Sequence, residues 1–322
     1  MATIYEVAKQ AGVSLSTVSR VLNGKGSVNP IMAEKVKRAA DELQYAPSHI
    51  ARALASKYTN AIGIVLPNTN MVFASHLLFS FERILRKHQK HCVVAFSHDT
   101  EESENDAIAF LLSQGCDAIV VSTIAPNAQH LNNKSKPVVV LDTTGTDNNK
   151  TGVIASFNRV LQRAHAFLVS EGHTEIALLY DDKSIACDDT LSLFSGSMVI
   201  QAGSDTTSEP LLDLLALEQT FSAVICSNAL LAASVASSAK ELGMELPDDL
   251  SIMVAHAPNA PVAYSYTPTD KPVSSVEYST LDIAKALACK SLSVAYELTE
   301  NEDATIEPTP IIHDYGTVAP FS

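Results

Sequence analysis

Hydrophobic and polar positions divide the chain of 322 residues into two regions with different periods. In residues 1–46, apolar positions recur every three or four residues, which is the spacing of amphipathic helices. From Ala61 onward, short unbroken apolar runs alternate with longer helical patterns. Strands that are apolar on both faces are typical of parallel sheets covered by helices, so this second region is predicted to be α/β.

Local signals in the first region predict three short helices. The stretch TIYE, residues 3–6, fits a capping box, and the helix it begins should run to about Gln10. Gly12 permits a tight turn, and Ser14 can cap a second helix. The pair at 29–30, Asn then Pro, marks the start of a third helix, whose apolar positions share one side: Ala33, Val36, Ala40 and Leu43. Two helices around a glycine turn, closed by a third, make a helix-turn-helix unit.

The second predicted helix, SLSTVSRVLN at 14–23, has one apolar and one polar face. The polar face carries Ser16, Thr17, Ser19, Arg20 and Asn23. In helix-turn-helix units the second helix enters the major groove, where hydroxyls bond phosphates or base edges and arginine bonds guanine or phosphate. An ordinary solvated helix face has a similar composition, so this pattern by itself leaves both interpretations open.

Charge separates the same two regions. Residues 1–58, hereafter the head, contain eight basic and four acidic residues, a net charge of +4, which leaves −18 for the remainder of a chain whose net charge is −14. A basic head on an acidic remainder indicates that the head meets phosphate, although a small domain can acquire such a charge by chance.

The end of the head has the composition of a short helix. After Pro47, the stretch SHIARALASK at 48–57 places Ile50, Ala51, Leu54 and Ala55 along one side. Alone it is too short to be a stable helix in water. It could order on meeting DNA and a partner copy, with Leu54 as a wedge in the minor groove, or it could be a plain linker helix.

The head resembles that of the lactose/galactose-repressor (LacI/GalR) family. The matching stretches are IYEVAKQAGVSLSTVSRVLNGKGSV and EKVKRAADELQYAPSHIARALAS. The family pattern reads roughly D-V-A-x-x-A-G-V-S-x-x-T-V-S-R-V-L-N-G, then a helix that ends in L-x-Y-x-P-N, and then a hinge with A-x-x-L. Nearly every position is present, with Glu6 in place of the usual Asp and Ser48 in place of the usual Asn.

The resemblance implies roles for matching residues. Leu15 and Ser16 stand at the two positions that choose operator bases, and neither can make a bidentate contact, so specificity there should depend on a thymine methyl or on DNA shape. Leu54 would be the minor-groove lever. The complete implied DNA-binding set is Ile4, Tyr5, Ser14, Leu15, Ser16, Thr17, Ser19, Arg20, Asn23, Ser27, Asn29, Tyr45, Ala51 and Leu54.

The resemblance also implies the domain organisation. We expect an α+α/β chain with a three-helix helix-turn-helix DNA-binding domain at 1–46, a hinge helix or linker at 47–58, and a two-lobed periplasmic-binding-protein-like α/β core with parallel sheets at 59–322. Strands are predicted at 61–67, 92–96, 118–122, 137–142, 175–180, 223–227 and 250–256, and helices at 74–89, 103–114, 158–171 and 229–243. The chain should cross between lobes near 157–162 and around 275–290. We expect a homodimer, because no coiled-coil tail follows the core.

The family's effector cleft, which usually holds a sugar or nucleobase between the lobes, is altered here. Thr190 replaces a ligand-gripping Arg, while Ala229 and Ala257 replace acidic residues. Each charged hydrogen bond contributes about 1.5–3 kcal/mol, so losing three would weaken binding thousands-fold and argues against the usual sugar chemistry. A misalignment would weaken this argument, chiefly at Thr190. The candidate cleft residues are Phe73, Phe157, Thr190, Asn228, Ala229, His256 and Ala257.

His256, at the end of a predicted strand, could hydrogen-bond a ligand or sense pH, although such a histidine is more often a satisfied polar group. The five cysteines, Cys92, Cys116, Cys187, Cys226 and Cys289, are scattered, which indicates buried reduced thiols and no metal or disulfide framework. The chain has no apolar run of about 18 residues and no signal peptide, so a cytoplasmic protein is expected. No cofactor is expected.

The sequence favours three functions to different degrees. The first is a dimeric, sequence-specific transcription regulator, most often a repressor in this family, that binds palindromic double-stranded DNA and responds to an atypical small-molecule effector. The second is a DNA-binding dimer whose core is only a scaffold, controlled by abundance or by a protein partner. The third, an enzyme, is disfavoured because phosphate-binding loops, nucleophile elbows and HExxH motifs are missing from the sequence.

Overall fold

A computed structural model of the chain describes residues 2–22, 28–45, 58–67, 71–98, 100–122, 135–143, 152–181, 194, 199–202, 221–256, 272–296 and 306–321. The chain forms two compact units, Met1–Thr59 and Asn60–Ser322. The first unit corresponds to the head, and we call the second the body. Their boundary lies one residue from the end of the predicted linker.

Three helices form the head: α1 (Ile4–Ala11), α2 (Leu15–Leu22) and α3 (Pro30–Glu42). The capping box is present, since the Glu6 N–H donates to Thr3 Oγ1 and the Thr3 N–H donates to Glu6 Oε2. Gly12 ends α1 with a left-handed φ of 67°, a conformation that glycine adopts without strain. The Asn29 side chain accepts a hydrogen bond from the Ile31 N–H at 2.9 Å and begins α3. These signals confirm the three predicted helices.

The head closes around a small apolar core. Val7, Val18 and Val36, one from each helix, are fully buried, and Ala39 and Ala40 pack with them. Ala33, predicted to face inward, is only half-buried, so the buried side of α3 lies closer to Ala39 than the sequence suggested. The core of the head therefore depends on a few β-branched and small side chains.

The first lobe of the body, lobe 1, is a five-stranded parallel sheet in the order β2-β1-β3-β4-β5. Helices α4 and α5 follow β1 and β2 in the chain. Helix α8 comes much later in the sequence but also belongs to lobe 1. The elements are β1 (Ala61–Pro67), α4 (Met71–Lys87), β2 (His91–Ser97), α5 (Glu101–Ser113), β3 (Ala118–Ser122), β4 (Val138–Asp142), β5 (Gly152–Ile154) and α8 (Thr280–Tyr296).

The second lobe, lobe 2, is a six-stranded sheet in the order β11-β10-β9-β8-β6-β7, in which only β11 is antiparallel to its neighbour. Helices α6 and α7 belong to it. The elements are α6 (Phe157–Ser170), β6 (Ile176–Asp181), β7 (Val199–Ala202), β8 (Ala223–Cys226), α7 (Ala229–Glu241), β9 (Ser251–Ala255), β10 (Ser274–Glu277) and β11 (Ile311–His313). The predicted two-lobed core of parallel sheets is confirmed.

The chain crosses between the lobes three times within the described residues. It leaves lobe 1 after β5, returns between β10 and α8, and leaves again after Ile306, which exchanges backbone hydrogen bonds with Gly152 and Ile154. The prediction found the first two crossings and missed the third. The Tyr278 hydroxyl donates to the Ser156 carbonyl oxygen at 3.2 Å and ties the first two crossings together.

Two sequence-based expectations need correction. The prediction missed β5, β7, β10 and β11, which are only three or four residues long and carry too few apolar positions to form a recognisable run. Cys289 is exposed, whereas buried thiols were expected; Cys116 and Cys226 are buried, and Cys187 lies outside the described residues. Burial raises the pKa of the Cys116 thiol to about 11, so that thiol is unreactive near neutral pH. No helix in the described ranges is long and apolar enough to cross a membrane.

Candidate nucleic-acid interface and effector cleft

Hydroxyl groups cluster where α2 begins. Ser14 Oγ lies 2.9 Å from both Ser16 Oγ and Thr17 Oγ1, and it accepts a hydrogen bond from the Thr17 N–H at 3.2 Å. Ser14 therefore caps α2, as its position predicted. A helix N-terminus carries a partial positive charge and unpaired N–H groups, so this end of α2 is suited to contact a phosphate.

The two faces of α2 differ as the sequence predicted. Val18 is fully buried, and Val21 and Leu22 pack against the core of the head. On the other side Arg20 is exposed, and in the described part of the chain no acidic residue forms an ion pair with it; Leu15, the first residue of the helix, is 38% exposed. The arginine is thus available to a phosphate or a guanine, and the exposed part of Leu15 offers an apolar contact at the start of the helix.

The remaining predicted DNA-binding residues have mixed positions. Tyr5 is 69% exposed, whereas Ile4 and Tyr45 are half-buried against the core of the head, and Asn29 is engaged as the cap of α3. Ser16 is exposed, and Thr17 and Ser19 are half-buried. Asn23, Ser27, Ala51 and Leu54 lie outside the described residues.

Sequence reasoning missed two exposed apolar side chains in the head. Ile31 and Met32, in the first turn of α3, are 70% and 47% exposed. Neither residue is among the four that were predicted to share the apolar side of this helix, and no role was predicted for them. They extend the surface of the head that could contact another molecule.

In the body, buried polar residues end several strands of both sheets. Ser97, Ser122 and Asp142 end β2, β3 and β4 of lobe 1, and His256 follows β9 of lobe 2. Ligands of open parallel sheets bind beyond the carboxyl ends of the strands. The three lobe 1 residues were missed as cleft candidates, although each is the last residue of a predicted strand or the next one.

The predicted cleft residues serve several structural purposes. Phe73 and Phe157 are buried in one large apolar cluster. The Asn228 side chain accepts a hydrogen bond from the Leu231 N–H at 2.9 Å and caps α7, and Ala229 is buried in the first turn of that helix. Thr190 and Ala257 lie outside the described residues.

His256 is not the satisfied polar group that was favoured from the sequence. Its backbone N–H donates to the Val276 carbonyl oxygen at 2.9 Å, but Nδ1 of the buried ring has no hydrogen-bond partner among the described residues. Ser97 Oγ is also buried and has no hydrogen-bond partner among the described residues. Burial, assisted by the nearby His313, lowers the pKa of His256 to about 4, so the ring is neutral at pH 7.

We expect His256 to make the stability of the protein depend on pH. Its pKa of about 4 in the folded protein lies below the ordinary 6.5. As pH falls below 6.5, His256 therefore binds a proton in the unfolded chain but not in the folded chain. The free energy of unfolding should therefore fall by about 3 kcal/mol between pH 6.5 and pH 4. Urea unfolding of wild type and His256→Asn across this range measures the difference.

The comparison of these two proteins isolates one histidine. Burial also lowers the pKa of His165 and His173, but both are present in wild type and variant. Equal pH dependence of the two unfolding free energies would contradict the assignment.

Among the described side chains, no group of three His, Cys, Asp or Glu residues could hold a metal ion.

Comparisons with known proteins agree with this arrangement. Residues 3–48 match the family described as bacterial regulatory proteins, lacI family, and residues 59–192 match periplasmic binding proteins and sugar binding domain of LacI family. Catabolite control protein A of Staphylococcus epidermidis is 31% identical over 273 residues, covering 78% of this chain and 81% of that protein. Its counterpart in Staphylococcus aureus strain MRSA252 is 30% identical over 266 residues, with the same coverage of 78% and 81%.

Solved structures share the fold. A lac repressor dimer bound to operator and the anti-inducer ONPF superimposes with a TM-score of 0.76 at 20% identity, covering 99% of both chains. A LacI-family regulator from Silicibacter pomeroyi superimposes with a TM-score of 0.70 at 22% identity, again covering 99% of both chains.

Proposed function

Because the chain belongs to the lacI family of bacterial regulatory proteins and is a DNA-binding transcriptional regulator, we propose that it represses transcription by binding a palindromic operator as a dimer. In this proposal residues 1–46 bind DNA, 47–58 form a hinge helix or linker, and 59–322 form the regulatory and dimerisation core. The division of the chain into compact units after Thr59 supports the last of these boundaries.

The exposed face of α2 carries this proposal. Its hydroxyl cluster lies at the helix N-terminus, Arg20 is exposed, and Val18 anchors the opposite face in the core of the head. The head has a net charge of +4 although the chain is acidic, which favours contact with phosphate. Leu15 and Ser16 read operator bases, Tyr5 and Asn29 brace the backbone, and Asn23, Ser27, Ala51 and Leu54 add contacts from segments outside the described residues.

Selection of operators from random double-stranded DNA tests the proposal. The full-length protein should enrich a palindrome whose two half-sites are read by two copies of α2. Because Leu15 cannot make bidentate hydrogen bonds, we expect thymine at the bases nearest the start of α2. Enrichment of no sequence, or of a sequence without two-fold symmetry, would contradict the proposal.

We propose that a second copy of the chain covers the outer side of lobe 1. The edge strand β2 presents Phe96, 44% exposed, and the neighbouring helix α4 presents Phe79, 69% exposed. Large aromatic side chains dominate the energy of protein interfaces. Pairing two copies would bury both rings and bring two heads to one operator.

Replacing Phe79 by aspartate should raise the dimer dissociation constant about a hundred-fold or more, because a carboxylate would be buried in place of a ring. Sedimentation equilibrium of the full-length protein measures this constant. Val169→Asp in lobe 2, where the native side chain is 50% exposed on α6, is the matched control and should leave the constant unchanged. A Phe79→Asp protein that dimerises as wild type does would refute this interface.

We propose that the cleft binds an uncharged, hydrogen-bonding small molecule. Two buried polar atoms that have no hydrogen-bond partner among the described residues, Ser97 Oγ and His256 Nδ1, occur at the carboxyl ends of strands, one in each lobe. An unsatisfied buried polar group costs about 1–3 kcal/mol, and a ligand that bonds both atoms would recover that energy. This observation favours a sensor over a core that serves only as a scaffold.

Thermal unfolding of the full-length protein with neutral sugars, polyols and nucleosides tests whether the cleft binds an uncharged small molecule. A ligand at about 100 times its dissociation constant adds about 2.7 kcal/mol and should raise the melting temperature by a few degrees. The shift should disappear in His256→Leu. If no compound shifts the melting temperature, the result would favour a core that serves only as a scaffold. DNA binding would then be controlled by the abundance of the protein or by a protein partner.

We further propose that the protein has no catalytic activity and acts in the cytoplasm. The family to which the chain belongs consists of regulators. The DNA of a bacterium, on which an operator would stand, lies in the cytoplasm. Substrate turnover by the purified protein would contradict the first statement.

A further inference from the structure

Three hydroxyl groups at the start of α2 form one hydrogen-bonded chain with Ser14 in the middle. Ser14 Oγ lies 2.9 Å from Ser16 Oγ and 2.9 Å from Thr17 Oγ1. It also accepts a hydrogen bond from the Thr17 N–H at 3.2 Å. Ser14 and Ser16 are exposed and Thr17 is half-buried, so a molecule that contacts this end of α2 meets these groups. We call Ser14, Ser16 and Thr17 the hydroxyl cluster.

The number of protons limits how the hydroxyl cluster can be oriented. A hydroxyl oxygen has one proton to donate and two lone pairs that accept. The Thr17 N–H occupies one lone pair of Ser14 Oγ, which leaves one lone pair and one proton for two neighbouring hydroxyls. Ser14 therefore donates to one neighbour and accepts from the other. One of Ser16 and Thr17 uses its proton within the cluster and offers only lone pairs outward, whereas the other keeps a proton to donate.

Contact with DNA selects between these two orientations. A phosphate oxygen at neutral pH carries no proton, so a hydroxyl that binds phosphate must donate its own. If Thr17 donates to a phosphate at the positive end of α2, it accepts from Ser14, and Ser14 accepts from Ser16. All three O–H bonds then point along the cluster toward the phosphate. Hydrogen bonds aligned in this way polarise and strengthen one another, which favours this orientation over the reverse.

We propose that Ser16 reads an amino group of a DNA base as a hydrogen-bond acceptor, while Thr17 donates to phosphate. With its proton bound to Ser14, the Ser16 oxygen presents lone pairs and has nothing to donate to N7, O6 or O4 of a base. The donors in the major groove are the N6 amino group of adenine and the N4 amino group of cytosine. The inference rests on the proposed function, in which Ser16 faces a base. It adds the class of base atom that is read, and it makes Ser14 and Thr17 positioning residues for that contact.

This polarity gives Ser16 a discrimination that a free serine lacks. A serine hydroxyl that turns without restraint donates to one base and accepts from another, so it distinguishes them little. Held by Ser14, the Ser16 hydroxyl accepts only, and a base atom that also accepts leaves both lone pairs without a partner. The neighbouring Leu15 contributes a different contact, which is apolar and suits a thymine methyl. The two residues therefore read different chemical groups.

Operators with single altered base atoms test the acceptor role of Ser16. In the operator selected with the full-length protein, the base pair read by Ser16 is the one at which Ser16→Ala loses base preference. Replacing its adenine by purine, or its cytosine by 2-pyrimidinone, deletes the amino group, whereas a 7-deazapurine deletes N7. Deletion of the amino group should raise the wild-type Kd about five-fold and leave that of Ser16→Ala unchanged. Deletion of N7 should change neither.

Variants of Thr17 test whether the hydroxyl cluster sets this polarity. Thr17→Val keeps the shape and removes the hydroxyl, which frees Ser16 to turn its proton outward. The effect of deleting the amino group should then fall to about two-fold or less. Thr17→Ser keeps the hydroxyl and is the matched control, so it should retain the wild-type effect. Ser14→Gly removes the central hydroxyl at a capping position where glycine is tolerated, and it decides the question if Thr17→Val does not fold.

The possible failures are distinguishable. Sensitivity of the wild-type protein to loss of N7 in place of the amino group would overturn the inference and leave the palindromic operator standing. So would an unchanged base preference in Ser16→Ala, or an amino-group effect as large in Thr17→Val as in wild type. Selection that enriches no palindrome would instead refute the proposed function, and the inference with it.

Discussion

Replacing Arg20 by alanine should raise the operator dissociation constant about ten- to a hundred-fold and leave the fold unchanged. Arg20 is exposed on α2, and no described acidic residue is paired with it, so the substitution removes a contact to DNA and breaks no internal ion pair. A specific arginine contact contributes about 1–3 kcal/mol. Fluorescence anisotropy with the selected operator, at several salt concentrations, measures both the affinity and its salt dependence.

Two further variants identify what Arg20 contacts. Arg38→Ala removes the same charge from α3, where Arg38 pairs with Glu42 at 2.9 Å, and it should change affinity much less. Arg20→Lys keeps the charge but loses bidentate geometry, so it restores binding if the contact is to phosphate and fails if the contact is to guanine. Arg20→Ala binding with wild-type affinity and salt dependence would refute the assignment of α2 as the recognition helix.

Replacing Val18 by aspartate should unfold the head and abolish specific operator binding. Val18 is fully buried among three helices, and a carboxylate there would have neither water nor a partner, a penalty of several kcal/mol. A domain of this size has only a few kcal/mol of stability in total. Loss of the head signals in NMR spectra, with the body's melting temperature retained, is the expected result.

Ser16→Asp is the matched control, because it introduces the same carboxylate on the exposed face of α2. It should weaken DNA binding by repelling phosphate while the head stays folded. The two variants thus separate the buried face of α2 from the face that meets DNA. A folded head in Val18→Asp would contradict the description of its core.

Local signals allowed the head to be predicted from the sequence. Thr3 bonds Glu6, Gly12 follows α1 directly, and Asn29 bonds a residue two positions away. Each of these interactions joins residues within a few positions of one another. The residues that cause a helix to begin or end are therefore adjacent to it in the sequence. The two faces of α2 follow from the helical period in the same way.

The body was predicted less completely. Its long buried strands stood out as apolar runs, but β10 contains two serines and a glutamate in four residues, and β11 contains three residues. Such short strands are stabilised by neighbours in the sheet and carry little signal of their own. The third crossing between lobes was missed for the same reason, since Ile306 pairs with lobe 1 through a single bridge to Val153.

The three helices of the head, the polar face of α2, the α/β character of the body and the resemblance to a family of regulators all follow from the sequence alone. These depend on periodicity, on capping residues and on a motif that is continuous in the chain. The folded structure was needed to show that His256 Nδ1 is buried without a described partner, and that Tyr296 bonds Asp117 across a separation of 179 positions. Burial and long-range hydrogen bonds arise when distant segments pack together, and no local pattern of residues encodes which distant groups will meet.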